Sequence, residues 1–458
     1  MRILWIAMVS CVALAPTLAP AATPAARLDL PGLVERARKQ PKVEATRHTA
    51  AAAHARARAV ARTWAPTFEI TAIGGPSPVV HCNPSPEMCL STSPREAGVE
   101  FSGLAGRIDA RVQMLLWTFG KLDAGNDAAR AGARAGDALA DQAEADAVVE
   151  AARAYYAVKL GRELRYMLEE GRGYVQDELD REDKALAKGG KDAAEITETD
   201  RLRLRSLRAE IDVRLSEALK VEETGLAGVH YIVGDEATDV DEEPLAAAIF
   251  ELPVKHDARA QAQAHRAERV AADAGADAAE DLLRLEKNRW WPDLVLIGTG
   301  TLARAQGADD PQNAFANDPL NTTSGGLGVV LRWSLDPFGR PYQVEKAEAE
   351  RNAARATARQ AKDGVGADAE RAWSEARDAR DRLRASREGE KAAKAWLVSV
   401  LQSEAAGLLE PKDLGDALVS YFTMRGRVIQ AIFDWNVAVV ALDRASGKGF
   451  SAPRYEEE

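Results

Sequence analysis

From Arg107 onward the chain alternates. Ile108, Ala110, Val112, Met114 and Leu116 fall on one side, and Arg107, Asp109, Arg111 and Gln113 on the other. Successive side chains of a strand point to opposite faces, so this pattern predicts a strand with one apolar and one charged face. After Trp117-Thr118-Phe119-Gly120 the period becomes helical. An alanine-rich run then continues from Lys121 to about Lys188 without a proline. At ~1.5 Å per residue such a helix spans roughly 100 Å, longer than a globular domain.

The same reading extends along the chain. Leu28 to Arg62 has a helical pattern that stops at Trp64-Ala65-Pro66, because a proline disfavours helix at the residue before it. Thr67–Ile73 alternates again, and a Pro/Ser/Gly-rich loop runs from Gly74 to about Ala97 before the alternating strand returns. Strand, loop and strand read as a hairpin. Gly189-Gly190 break the long helix, and a second helix is expected from Ala193 to Glu223. A mixed linker with an acidic centre, Asp235 to Glu243, follows.

The second half repeats the first. A helix reaches Asn288, and Arg289-Trp290-Trp291-Pro292 stands where Trp64-Ala65-Pro66 stood. Leu294–Thr301 and Leu327–Leu335 supply two more strands, and Asp336-Pro337-Phe338-Gly339 leads into another alanine-rich helix that runs to about Ala405. A last helix, Lys412–Ser446, carries Leu414, Leu418, Tyr421, Val428, Ile432, Trp435, Val439 and Leu442 at 3–4 spacing, the pattern of a coiled-coil seam. Two such modules define a duplicated helix–hairpin–helix plan. The expected division is 1–22 signal peptide; 23–225 first repeat, with its hairpin at about 64–117; 226–252 linker; 253–447 second repeat, with its hairpin at about 291–335; and 448–458 tail.

Targeting and composition narrow the setting. Arg2, the apolar run Ile3–Leu14 and the small residues to Ala22 make a secretory signal peptide, too short to span a membrane as a helix. Aromatics are only 6% of the chain and its net charge is −11, which argues against a nucleic-acid partner. Cys82 and Cys89 lie in a Pro/Ser loop, where an oxidising compartment favours a local disulfide. Metal binding with His81 is the competing reading, but three ligands without a fourth make a poor zinc site. The six histidines are scattered and no nucleophile motif is present, so no enzyme and no cofactor are expected.

The strands carry aromatics at their ends: Trp64, Trp117, Trp290, Trp291 and Trp333. Alternating strands bounded by aromatics resemble the lipid-facing wall of a membrane barrel. Four strands cannot close such a barrel, and open edges in lipid cost several kcal/mol per unpaired backbone group. Two copies would give about eight strands, too narrow for the helices to continue as a tube, whereas three would give about twelve.

On these residues the chain resembles the TolC-like outer membrane efflux protein family. The duplicated plan, the Trp-bounded strand starts and the Phe-Gly strand exits carry the resemblance, together with Gly407-Leu408-Leu409-Glu410-Pro411-Lys412-Asp413-Leu414-Gly415-Asp416-Ala417. It implies a mainly α fold with membrane β-hairpins. The assembly would be a homotrimeric twelve-stranded barrel, continued by a periplasmic α-helical barrel. It also implies an outer-membrane channel that passively conducts substrates from an inner-membrane transporter and a periplasmic adaptor. By the same resemblance Asp413 and Asp416 would ring a pore constriction, and Gly189, Gly190, Gly407 and Leu408 would mark the adaptor-docking tips. Leu409 stands where an arginine often locks the closed state in the family. By the same resemblance Arg107, Arg111 and Arg332 would line the lumen or sit at its rims. The alternative from another class is a soluble periplasmic coiled-coil adaptor or spacer, which would need no trimer and no membrane.

Overall fold

The computed structural model describes residues 27–83, 85–86, 93–189, 197–311, 318–405 and 411–456. Residues 1–22, expected to be a signal peptide, lie outside the described residues, as do Cys89, Gly190, Gly407 and Leu408. Two short helices, α1 (Leu30–Ala37) and α2 (Pro41–Ala61), replace the single expected helix. The break falls just before Pro41, whose ring disfavours helix at the residue before it. Asp29 caps α1 by accepting from the Gly32 amide at 2.9 Å.

Strands β2 (Thr67–Cys82) and β3 (Arg95–Trp117) form the first hairpin. Strand β2 runs to Cys82, well past its expected end at Ile73, whereas β3 begins close to the expected end of the loop at about Ala97. The Gly-Gly-Pro-Ser-Pro stretch reads as a loop, yet it stays paired by slipping register at Pro76 and Pro78, where a proline offers no amide to the ladder. The segment after the third long strand holds it from the other side. Val80 donates to the Gly307 carbonyl at 3.1 Å, and the Gly307 amide donates to Ser77 Oγ at 2.8 Å.

Helices α3 (Lys121–Lys188) and α4 (Glu198–Val233) follow, then β4 (Asp239–Val240), β5 (Ala248–Ile249), α5 (Lys255–His265) and α6 (Ala267–Asn288). Helix α4 continues ten residues beyond its expected end. Gly225, two residues past that expected end, lies inside the helix and lets α4 touch α3: a Cβ there would stand 2.7 Å from the Val158 amide. The second hairpin is β6 (Asp293–Ala305) and β7 (Thr322–Arg332), and it leads to α7 (Arg340–Ala405), α8 (Pro411–Ser446) and β8 (Arg454–Tyr455). Strand order in the main sheet is β2-β3-β6-β7, antiparallel throughout.

The repeat is not exact. A short strand β1 (Arg27–Leu28) pairs parallel with β4, whereas β5 pairs antiparallel with β8. The main core gathers around Tyr155, Tyr156, Val158 and Leu160 of α3, with Leu33 and Val34 of α1 and Val229 of α4. A second cluster packs Trp435, Val439 and Leu442 of α8 on Ala372, Ala376 and Leu383 of α7, so the upper part of the seam read from the sequence is buried.

Candidate functional site: a two-faced wall, its waist and its far end

Register decides what the sheet can face. Phe68, Val112 and Gly298 share one cross-strand row with Leu327, and Ala72, Ile108 and Leu302 share another. These apolar positions lie on one side, with Phe68 76% and Leu327 75% exposed. The opposite side carries rows such as Glu69, Arg111, Thr299 and Thr71, Asp109, Thr301, Ser324. There Arg107 grips Asp109 through two guanidinium nitrogens at 2.7 and 2.9 Å, and Thr301 donates to the same carboxylate at 2.7 Å. A wall with a greasy outside and a hydroxyl- and charge-bearing inside suits lipid on one side and water on the other. Strands β2 and β7 are its edges.

Where the sheet meets the helices, the chain turns through Phe119 at φ 50° and Gly120 at φ 79°. Phe119 is the one non-glycine with positive φ among the described residues. It stacks on Trp291 at 6.0 Å and meets Trp117 edge-on at 6.3 Å, so ring packing holds a backbone that few side chains adopt. A Cβ at Gly120 would stand 2.9 Å from Asn288 Nδ2, which adds a second reason for glycine there. Lys121 donates to the Trp291 carbonyl at 2.8 Å and pairs with Asp293 at 2.7 Å. The Trp333 indole donates to the Trp290 carbonyl at 3.0 Å. The five tryptophans named from the sequence therefore gather at one level, with Trp64, Trp117, Trp291 and Trp333 more than half exposed. The matching turn of the second hairpin is plainer: Gly339 donates to Asp336 at 2.8 Å, and Phe338 is 85% exposed.

The waist of the molecule holds polar groups that the sequence pattern does not single out. Lys159 of α3 is buried among apolar residues, donating to Asp241 at 2.5 Å and to the Glu243 carbonyl at 2.8 Å. The Tyr155 hydroxyl donates to the same carboxylate at 2.5 Å. Burial opposes the charge on Asp241, but the bonds from Lys159 and Tyr155 more than offset it and hold the carboxyl below its ordinary pKa. Burial pushes the Tyr155 hydroxyl far up, with Asp241 adding to the effect. Asn436 of α8, fully buried, takes the Ala248 amide and gives to the Ala246 carbonyl, both at 2.8 Å. It thereby fastens the linker to the last helix.

Arg266, in the break between α5 and α6, pairs with Glu268 and Asp368 at 2.5 Å each. Arg444 of α8 reaches the same two carboxylates and Asp146 of α3, so four helices meet in one ionic knot. A surface-like sequence of alternating charges gives no hint of this, because only tertiary approach brings the charges together.

At the far end, Gly189 closes α3 with φ 64° and its amide donates to the Ala185 carbonyl. Asp416 lies in the first turns of α8 and pairs with Arg203 of α4. Asp413 lies in the first turn of the same helix. Cys82 is disulfide-bonded, and its amide donates to Asp309 at 3.0 Å. Among the described residues no group of three or more His, Cys, Asp or Glu side chains is placed to hold a metal, and no helix is long and apolar enough to cross a membrane.

Residues 258–448 match the family model described as outer membrane efflux protein. No curated protein matches the chain by sequence. Among solved structures, the outer-membrane channel OprN superposes with a TM-score of 0.74 at 17% identity, covering 95% of this chain and 99% of its own. The CmeC outer membrane channel of Campylobacter jejuni gives 0.74 at 14% identity, covering 92% and 86%. The outer membrane protein VceC of Vibrio cholerae gives 0.72 at 18%, covering 92% and 97%. The second half of this chain thus carries the sequence pattern of the outer membrane efflux proteins, and the whole described chain has the TolC-like fold of the outer-membrane channels.

Proposed function

We propose that the chain is one of three identical subunits of an outer-membrane efflux duct. It carries solutes passively from an inner-membrane transporter and a periplasmic adaptor to the outside. One observation supports this above the rest: a four-stranded sheet with an apolar outer face and two open edges runs directly into helices of 68 and 66 residues. Open edges are tolerated in lipid only when another strand pairs with them, so the edges call for further copies. At ~1.5 Å per residue, the helices continue the wall by roughly 100 Å. A soluble adaptor would leave the exposed face of Phe68, Ile70, Leu327 and Val329 in water, a contiguous patch that such a protein would not carry.

In this reading the tryptophan level marks the periplasmic membrane boundary, and residues 23–225 and 253–447 are the two repeats that build the wall. Asp413 and Asp416 line the narrow end, where three-fold symmetry would bring six carboxylates together and favour cations. The Arg203–Asp416 pair neutralises part of that ring and ties α4 to α8. Gly189, Gly190, Gly407 and Leu408 form the adaptor-facing tips, and Cys82 pairs with Cys89. The test is reconstitution of the purified protein in planar bilayers. Trimeric protein with steady, cation-preferring conductance is expected, and Asp413→Ala with Asp416→Ala should reduce block by multivalent cations. A membrane-free monomer without conductance would overturn the reading.

A further inference from the structure

The outward face of the sheet is uncharged with one exception. Alternate positions from Phe68 to Gly74 in β2, Gly106 to Met114 in β3, Leu294 to Arg304 in β6 and Thr323 to Leu331 in β7 line up there row by row. Among the described residues of these rows, Arg304 alone carries a charge. It is exposed, between buried Ala303 and Ala305, which face the other way. Its guanidinium donates to the Ala303 carbonyl at 2.8 Å and to Thr323 Oγ1 at 3.1 Å. Among the described residues it has no carboxylate partner, so its charge is not neutralised within the chain. Further copies of the chain do not change this. They would pair at the edges β2 and β7, whereas β6 lies inside the sheet, and the outward residues of both edges include no acid.

Height decides what surrounds that charge. Strand β6 starts at Asp293, beside the tryptophan level, and Arg304 follows 11 residues later. At ~3.4 Å per residue and a tilt of about 40°, this places it about 28 Å from the tryptophans along the membrane normal. The apolar band of a membrane barrel is about 25 Å tall, so Arg304 stands at the opposite boundary, in the headgroup layer of the outer leaflet. Leu302 and Ile108, each nearly half exposed, form the next outward row towards the tryptophans and face the acyl chains. Beside Arg304 in its own row, Gly106 and Gly74 carry no side chain, which leaves a headgroup room to approach.

We propose that Arg304 binds the headgroup phosphate of an acylated lipid in the outer leaflet, with Leu302 and Ile108 against its chains and Thr323 orienting the guanidinium. A guanidinium takes a phosphate in a two-point geometry, and a phosphate monoester brings up to about two negative charges. The lipid is therefore one whose headgroup carries a phosphate monoester. The proposal rests on the reading of the sheet as a membrane wall, but its test does not need conductance. Lipid A, an acylated disaccharide with phosphate monoesters, is titrated into the detergent-purified assembly and followed by native mass spectrometry.

Arg304→Gln is expected to weaken binding about five-fold, the effect of one basic residue at an anionic lipid surface. Arg304→Lys should recover part of that loss. Lipid A stripped of its phosphates should bind wild type and Arg304→Gln alike, and inorganic phosphate should not displace intact lipid A, because it has no chains. Equal affinity of the wild type for the intact and stripped lipids would overturn the proposal, even if no variant assembles. So would displacement by inorganic phosphate, the mark of a free-anion site. An equal loss in Arg62→Gln, an exposed arginine at the tryptophan level, would overturn it as well. Conductance without a phosphate preference removes this site alone, and a phosphate preference without conductance removes the duct reading alone.

Discussion

Lys159→Met is the sharpest test of how the waist is held. Methionine keeps most of the stem but removes the ammonium that bonds Asp241 at 2.5 Å and the Glu243 carbonyl at 2.8 Å. The Asp241 carboxylate then keeps only the Tyr155 hydroxyl and the Glu243 amide as donors. Breaking a buried pair from one side costs about 3–5 kcal/mol, and because Asp241 is partly solvated a loss of roughly 2–4 kcal/mol is expected. Replacing both partners, Lys159→Met with Asp241→Leu, should recover most of that loss, since no uncompensated charge remains. The assay is the urea midpoint of the helical circular dichroism signal at fixed detergent, with the slope required to stay constant. The pH dependence has a definite sign. Asp241 is held below its ordinary pKa in the folded protein, so its contribution is present above about pH 4 and is lost as pH falls through the folded value. In Lys159→Met the ammonium's support for the charge is gone, so stability should fall less steeply with acid than in the wild type. A midpoint equal to wild type, or a double variant no better than the single, would refute the reasoning.

Other outcomes follow from single positions. Burial raises the pKa of Asp443, with Lys448 opposing, so this group adds stability below the ordinary carboxylate range and loses it as pH rises through the folded value. Asp443→Asn should therefore raise the denaturation midpoint at neutral pH and flatten its slope with pH. Gly173→Ala meets nothing within 4 Å and should stabilise α3 by about 1 kcal/mol, seen as a higher midpoint. Gly447→Ala should do the opposite: its φ is 76°, and a Cβ would stand 3.2 Å from the Arg266 amide. A cost of at least about 1–2 kcal/mol is expected from the backbone alone.

Much of the architecture is written in local periods. Alternation at Arg107–Gln113 and at Leu327–Leu331 makes strands, the alanine-rich runs make long helices, and the tryptophans before each hairpin mark the repeat, because each of these depends on near neighbours along the chain. The two open edges of the sheet follow from the strand count itself. What the periods misjudged were places where distant segments decide. Gly74 to Pro78 looks like a loop but stays in the sheet because Gly307 and Ser77 brace it. Gly225 lies just past the expected end of its helix but sits inside α4, at one of the close approaches to α3. Lys159, Asn436 and the Arg266–Arg444 knot have no local signature: a lone lysine or asparagine in a helix looks solvated until tertiary packing removes the water and supplies its partners. The same holds at the far end, where Asp416 was legible as a carboxylate near a helix start. Only the approach of α4 gave it Arg203.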